Sequence, residues 1–281
     1  MMNYSPCFTS IQVDADDNVY LMYEYPTIGV EKLQDEEIIT LCHALLKYNK
    51  SFELIDIYPI QEFGEVNHNL FTINFQLINS NKIAAMTHDW KKWYKQILEK
   101  NPGAKILPIA EFELEGKRFE FNKHYSYALP KVYKEKYFEN FIGIHICNYP
   151  YFNLYFDNKI YNLENGKSAT LVEDELYKKS IDHSAEALDI NSEKFGVEKF
   201  HNYKVAQNPL NNEVWSIYKW DGKIMVKIFD ENLKLLKSGD ITKMLYYKTP
   251  TLFEMDWHHQ MIKIGFKDAE KSLSMPLGLF R

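Results

Sequence analysis

The sequence predicts an α+β protein: an N-terminal part of helices and antiparallel strands, then a mostly β C-terminal half of hairpins. Apolar residues make up 46% and aromatic residues 15% of the 281 positions, enough for a large folded core. Residues 35–50 carry apolar side chains at helical spacing. From residue 203 onward, turn residues separate apolar segments at roughly ten-residue intervals, which favours a meander or a partial propeller-like sheet.

The first elements are predicted to be a hairpin and a helix. Residues 8–13 and 19–25 have strand character and flank the turn residues 14–18. In the following segment, the apolar residues Ile38, Leu41 and Leu45 repeat every three or four positions. Acids at the beginning of this segment and lysines at its end suit the helix dipole, so a first helix is predicted over residues 35–50.

The rest of the N-terminal part is also predicted to combine strands and a helix. Strands are predicted at residues 52–60 and 69–78, a helix at 87–100, and a hairpin formed by 105–113 and 118–122. A polar segment with Pro130 follows. We therefore expect one domain over residues 1–135 and a β-rich domain over 136–281, with a single continuous domain as the alternative.

Two hairpins in the C-terminal half have similar sequences. Residues 153–160 and 216–224 each read as a strand, an Asp followed by Asn or Gly, a lysine and a second strand. Two hairpins with good turn residues look alike by chance, so we do not interpret this likeness as an internal repeat, and nothing recurs often enough to count blades.

Charge is distributed unevenly along the chain. The net charge is −6, yet the first 70 residues contain three lysines and twelve acids, a net −9. Complementary potentials steer protein association, so this asymmetry favours a basic partner, with a solvated acidic face as the alternative. The predicted partner-binding residues are the acids of the first hairpin and first helix: Asp14, Asp16, Asp17, Glu24, Asp35, Glu36 and Glu37.

Catalytic motifs are absent from the sequence: it contains no GxGxxG, GxxxxGK[ST], HExxH or GxSxG. One local cluster could support chemistry. On a strand, Glu254, Asp256 and His258 would share a face, with His259 beside them, and such groups can hold a divalent metal or transfer protons. An ordinary half-exposed strand gives the same alternation of polar and apolar residues.

These observations predict a non-catalytic protein-binding protein, specifically a bacterial immunity protein that occludes the active site of a basic toxin. Tyr and Trp are typical interface anchors, and the chain has 20 Tyr and 5 Trp. One alternative is a metal-dependent hydrolase that uses the cluster at residues 254–259. Another is a glycan- or peptide-binding module on the C-terminal sheet.

The expected compartment is the cytoplasm. The N-terminus lacks a basic region followed by an apolar stretch, and no run of 18 apolar residues occurs. Three distant cysteines favour reduced thiols over disulfides or a zinc site. We expect no metal, no cofactor, no nucleic-acid partner and no membrane partner, and the sequence leaves the oligomeric state open.

Overall fold

The computed structural model describes residues 7–33, 36–60, 75–86, 105–128, 144–154, 157–180, 200–245, 250–266 and 272–280. These residues form nineteen strands, one α-helix and two short 3-10 helices. In this part of the chain, no helix has the length and apolar character needed to span a membrane. The chain divides into two compact units, Met1–Leu129 and Pro130–Arg281.

The first unit contains two antiparallel sheets of four strands, each connected as a meander. The strands of the first sheet are β1 (Cys7–Val13), β2 (Val19–Leu33), β3 (Glu36–Tyr48) and β4 (Leu54–Pro59). Those of the second sheet are β5 (Phe75–Asn79), β6 (Lys82–Met86), β7 (Lys105–Glu115) and β8 (Arg118–Ala128). A parallel bridge between Ile60 and Phe119 links the end of the first sheet to β8.

The second unit contains three further antiparallel meanders. Its first sheet consists of β9 (Ile144–Asn148), β10 (Tyr151–Leu154), β11 (Lys159–Asn162) and β12 (Ser168–Thr170). After helix α1 (Asp174–Ser180), the next sheet consists of β13 (Phe200–Gln207), β14 (Val214–Trp220), β15 (Lys223–Phe229) and β16 (Leu235–Asp240). The last sheet consists of β17 (Pro250–Asp256), β18 (Met261–Phe266) and β19 (Leu273–Pro276), with 3-10 helices at Thr242–Leu245 and Leu277–Phe280.

Each unit packs neighbouring sheets face to face over an apolar core. In the first unit, Met22 and Leu45 of the first sheet pack with Phe112 and Phe119 of the second. In the second unit, residues of β14 and β15, such as Trp215, pack with residues of β17 and β18. Alternation along the strands explains this arrangement, because successive side chains point to opposite faces of a sheet.

The sheet pattern defines the fold class. The described residues form five consecutive meanders of three or four antiparallel strands, which is the pattern of β-propeller blades. Within the units, the first strands of neighbouring sheets also contact one another: β1 contacts β5, and β13 contacts both β9 and β17. The predicted α+β class is therefore wrong, and the chain is a nearly all-β protein.

The predicted first helix over residues 35–50 is a strand. Here β3 runs from Glu36 to Tyr48 and pairs on both sides, with β2 and with β4. The spacing of Ile38, Leu41 and Leu45 fits a helix, but this segment is apolar on both faces, and its neighbouring strands decide the structure. Helix propensity is a weak prior that such tertiary contacts override.

Most of the predicted hairpins form. The hairpin at residues 8–25 is β1 and β2, and the hairpin at 105–122 is β7 and β8. The predicted helix at 87–100 lies outside the described residues. The two similar segments, residues 153–160 and 216–224, fall on equivalent hairpins: each joins the second strand of its sheet to the third.

Candidate protein-binding surface

The first sheet has one face in the core, and its opposite face is exposed at the two edge strands. Tyr20, Met22 and Leu45 point into the core shared with the second sheet. Side chains one position along each strand therefore point the other way. The strand register aligns Ile11, Leu21, Leu46 and Ile57 as one row across all four strands. This outer face is apolar from edge to edge, over about 14 Å.

The two edge strands expose this row most strongly. Ile57 of β4 is 48% exposed, while Ile55 on the same strand is 52% exposed. On the other edge, Ile11 and Val13 of β1 are also exposed. We call the exposed apolar side chains of these strands and of the turn before β4 the apolar surface: Ile11, Val13, Phe52, Leu54, Ile55 and Ile57.

Two turns lie side by side at one end of this sheet, because β2 and β3 pair from Val19 and Tyr48 onward. The turn between β1 and β2 carries the exposed acids Asp16 and Asp17. In the turn between β3 and β4, Phe52 is exposed and the carboxylate of Glu53 accepts a hydrogen bond from Asn49 Nδ2 at 2.7 Å. Acidic groups therefore border the apolar surface at this end.

Asp14, by contrast, is engaged within its own turn. Its carboxylate accepts hydrogen bonds from the backbone N–H groups of Asp16 and Asn18, both at 2.9 Å, and from the Tyr20 hydroxyl at 3.2 Å. Burial alone would raise the pKa of Asp14. The Asn18 side chain, whose Nδ2 donates to the carboxylate at 2.9 Å, and these other hydrogen bonds outweigh burial and hold that pKa below its usual value. Burial, together with the nearby Asp14 charge, raises the pKa of Tyr20 to about 12.

The other predicted partner-binding acids lie elsewhere. Glu24 is in the middle of β2, and Glu36 and Glu37 begin β3 at the far end of the β2–β3 pair. Asp35 lies outside the described residues. From Glu36 to Tyr48, β3 extends over thirteen residues, so the two ends of the β2–β3 pair are roughly 40 Å apart. The structure thus brings Asp14, Asp16 and Asp17 together, but not with Glu36 and Glu37.

The predicted metal cluster at residues 254–259 is divided between a strand and a turn. Asp256 ends β17, so His258 and His259 lie in the turn and not on the strand face with Glu254. The Asp256 carboxylate accepts the backbone N–H of His259 at 3.0 Å and contacts its ring nitrogen Nδ1 at 2.9 Å. Both contacts lower the pKa of Asp256, the backbone hydrogen bond more strongly. The described residues contain no group of three or more His, Cys, Asp or Glu side chains placed to hold a metal.

The alternative of a glycan-binding sheet has no support in the described part of the second unit. Its aromatic side chains are all buried or half-buried there, including Trp215, Trp220 and Trp257. Stacking on sugars requires an exposed ring. The large apolar side chains that this unit does expose are leucines and Met244.

Sequence reasoning missed the apolar surface. The segment at residues 52–60 was identified as a strand, but apolar alternation is read as a core face and does not reveal exposure. One local signal was available: Asn49 to Glu53 repeats the turn chemistry of Asp14 to Asn18, which places Phe52 at an exposed turn position.

Comparisons with known proteins find similarity among solved structures. No protein-family pattern matches the chain, and no curated protein matches it. Among solved structures, a DUF4221-family member from Bacteroides vulgatus is similar over 95% of this chain and 92% of its own, with 11% identity and a TM-score of 0.46.

Two lactonase structures are also similar. A candidate 6-phosphogluconolactonase from Bacteroides uniformis matches 93% of this chain and 79% of its own, with 9% identity and a TM-score of 0.39. A periplasmic gluconolactonase from Pseudomonas aeruginosa matches 94% and 64%, with 10% identity and a TM-score of 0.40. We take no activity or substrate from likenesses at this level.

The immunity-protein prediction is wrong. The chain is nearly all β and not the α+β protein that this prediction assumed. The acidic first helix on which that prediction depended is also a strand, with its acids spread along the length of the sheet.

Proposed function

We propose that this protein is a protein-binding module of the β-propeller class that presents the apolar surface of its first sheet to a basic protein partner. The observation that carries the proposal is the apolar row across β1–β4, which is exposed at its two edge strands and bordered by Asp16, Asp17 and Glu53. Contiguous exposed apolar patches with a polar rim mark interaction sites. Burying the six side chains of the apolar surface is worth about 5 kcal/mol.

The negative charge beside the apolar surface indicates the charge of the partner. The acids at the turn end of the sheet favour an apolar patch that is itself bordered by Lys or Arg. A second copy of the chain would bring a like acidic rim, and like charges placed together oppose association. A basic protein is therefore the occupant that we propose.

The geometry of β4 favours docking on the face and not strand addition at the edge. The N–H of Ile57 is already bonded to the Asp56 carboxylate at 3.0 Å, and Pro59 has no N–H. An added strand needs outward N–H and C=O groups in succession. A charged residue and a proline are typical protections of an edge strand, so β4 contributes its side chains and not its backbone.

Replacement of both Ile55 and Ile57 by threonine is expected to weaken partner binding about 100-fold, a loss of about 3 kcal/mol. Threonine is β-branched like isoleucine, so β4 is preserved while the apolar contact is lost. The partner is captured from native cells with the full chain, purified, and titrated against both proteins by calorimetry.

The matched control is Leu235→Thr with Leu236→Thr on β16, where two leucines are 47% and 54% exposed on another sheet. We expect this variant to bind as tightly as the wild type. Equal affinity of the Ile55/Ile57 variant and the wild type would overturn the proposal, as would the absence of a stoichiometric partner.

A second prediction concerns the acidic rim. Asp16→Asn with Asp17→Asn removes two charges and keeps the turn, because Asn tolerates the left-handed conformation that Asp17 adopts at φ 63°. We expect association with the purified partner to slow about fivefold at low salt and to depend less on ionic strength. Stopped-flow measurements over a salt series test this.

Glu36→Gln with Glu37→Gln provides the control, since these residues lie at the other end of the sheet. This variant should associate at the wild-type rate. If the Glu36/Glu37 variant were the slower of the two, the partner would bind at the opposite end from the one proposed.

A further inference from the structure

Three turns of the protein share one design. Asp14, Asn49 and Asp230 each begin a five-residue turn, and the side-chain Oδ1 of each accepts the backbone N–H groups two and four residues later, at 2.8–2.9 Å. In all three, the fourth residue has a left-handed backbone: Asp17 at φ 63°, Phe52 at φ 60° and Leu233 at φ 61°.

The left-handed conformation is costly for two of these residues. Asp tolerates it, whereas a bulky side chain such as Leu or Phe does so only under constraint. Leu233 is 7% exposed, so the burial of its side chain offsets the cost. Phe52 is 74% exposed and gains no such burial in the free protein. Strain without local compensation is a known mark of functional positions.

We propose that Phe52 is the anchor of the interface, with its ring inserted into an apolar pocket of the basic partner. This inference rests on the proposed function and specifies it: the pocket accommodates an aromatic ring and carries Lys or Arg on the side that faces Glu53. Glu53 is held in place by its hydrogen bond to Asn49, one residue from the ring. Interface energy is typically concentrated in a few residues that fill well-packed pockets of the partner.

The first step of the test traps the occupant. The photo-reactive analogue p-benzoylphenylalanine is placed at position 52 of the full chain in its native cells, and at position 236, an exposed residue of β16, as a control. One discrete adduct from position 52 is expected. The trapped protein is then purified and titrated against variants of the chain.

Phe52→Asn is the decisive variant. It is expected to weaken binding at least 30-fold, and also to make the protein more stable, with an unfolding equilibrium constant about fivefold smaller, because Asn relieves the left-handed strain. The matched control, Leu233→Asn at the same position of another turn, should raise that constant more than tenfold through lost burial and leave affinity unchanged. A gain in stability combined with a loss of binding excludes unfolding as the cause.

The outcomes separate this inference from the proposal on which it rests. If Phe52→Asn binds as the wild type does while the Ile55/Ile57 variant does not, the anchor is refuted and the surface stands. If both bind as the wild type does, the proposed function fails. An adduct of twice the chain's mass identifies a second copy as the occupant and overturns the basic partner, and no discrete adduct from position 52 refutes the anchor.

Discussion

Replacement of Trp215 by alanine is expected to lower the free energy of unfolding by about 4 kcal/mol. Trp215 is 1% exposed and lies in the core shared by β14, β15, β17 and β18. Its ring meets Trp257 and Phe280 edge to face, with centroids 5.9 and 6.2 Å apart. The indole N–H donates a hydrogen bond to the Glu213 carboxylate at 3.2 Å, so the apolar part of the ring is packed and its polar group is hydrogen-bonded.

Urea unfolding followed by far-ultraviolet circular dichroism measures this loss. Trp215→Phe is the control, because it keeps an aromatic ring in the core and should lose less than half as much. A loss below about 1 kcal/mol for Trp215→Ala would show that this core contributes little to stability. Trp257 begins the turn at residues 257–260 and packs on Trp215, so Trp215→Ala also removes a packing contact of that turn.

Replacement of Glu111 by glutamine is expected to cost about 2–3 kcal/mol at neutral pH. The Glu111 carboxylate is buried on β7 and accepts hydrogen bonds from the Tyr125 hydroxyl and, at 2.6 Å, from Asn122 Nδ2. Lys82 and Lys123 each lie 3.6 Å from its oxygens. Both lysines remain partly in solvent, so their ion pairs contribute little. Most of the lost stability therefore comes from the hydrogen bonds that the charged carboxylate accepts.

The pH dependence of this loss has a definite sign. Burial alone would raise the pKa of Glu111, but the Tyr125 hydrogen bond, the two lysines and Asn122 outweigh it and lower that pKa below 4.5. A lowered carboxyl pKa stabilises the fold above its unfolded value, and this stabilisation is lost as the pH falls through the folded value. The difference between wild type and Glu111→Gln should therefore be full at pH 7 and shrink below about pH 4.5.

Urea titrations at pH 7, 4 and 3 measure the difference. Glu120→Gln is the control, because Glu120 lies on the neighbouring β8, is half-exposed, and pairs only at the surface with Arg118 at 3.6 Å. It should change stability by less than about 0.5 kcal/mol. A difference for Glu111→Gln that persists at pH 3 would show that the charge of Glu111 is not what stabilises this cluster.

Local chemistry made the turns predictable. Asp14–Asn18 and Glu115–Lys117 carry side chains or glycines that fit a turn whatever surrounds them. Gly116 adopts a φ of 62°, and Asp14 provides acceptors for its own turn. Hairpins were therefore identified along the chain, including the two similar ones at residues 153–160 and 216–224. These two hairpins occupy equivalent places in their sheets, but the sequence likeness between them is too limited to predict the number of sheets.

Non-local pairing made β3 unpredictable. Ile38, Leu41 and Leu45 satisfy helical spacing, and only the contacts with β2 and β4 decide for a strand. The exposure of apolar strand residues also depends on non-local packing, so the sequence did not reveal it. Ile55 and Ile57 look like core residues in the sequence, and the structure alone shows that about half of each side chain is exposed.

Charge was informative in total but not in position. The first 70 residues do carry a net charge of −9, yet their acids are spread along a β2–β3 pair roughly 40 Å long instead of being collected on one helix. Asp16, Asp17 and Glu53 lie beside the apolar surface.

Hydrogen exchange of the chain with and without its purified partner tests the central claim most directly. If the partner covers the first sheet, backbone amides of residues 11–13 and 50–57 should exchange more slowly in the complex, while those of β16 remain unchanged. Protection confined to the sheets of the second unit, with residues 50–57 unaffected, would contradict the assignment of the apolar surface as the binding site.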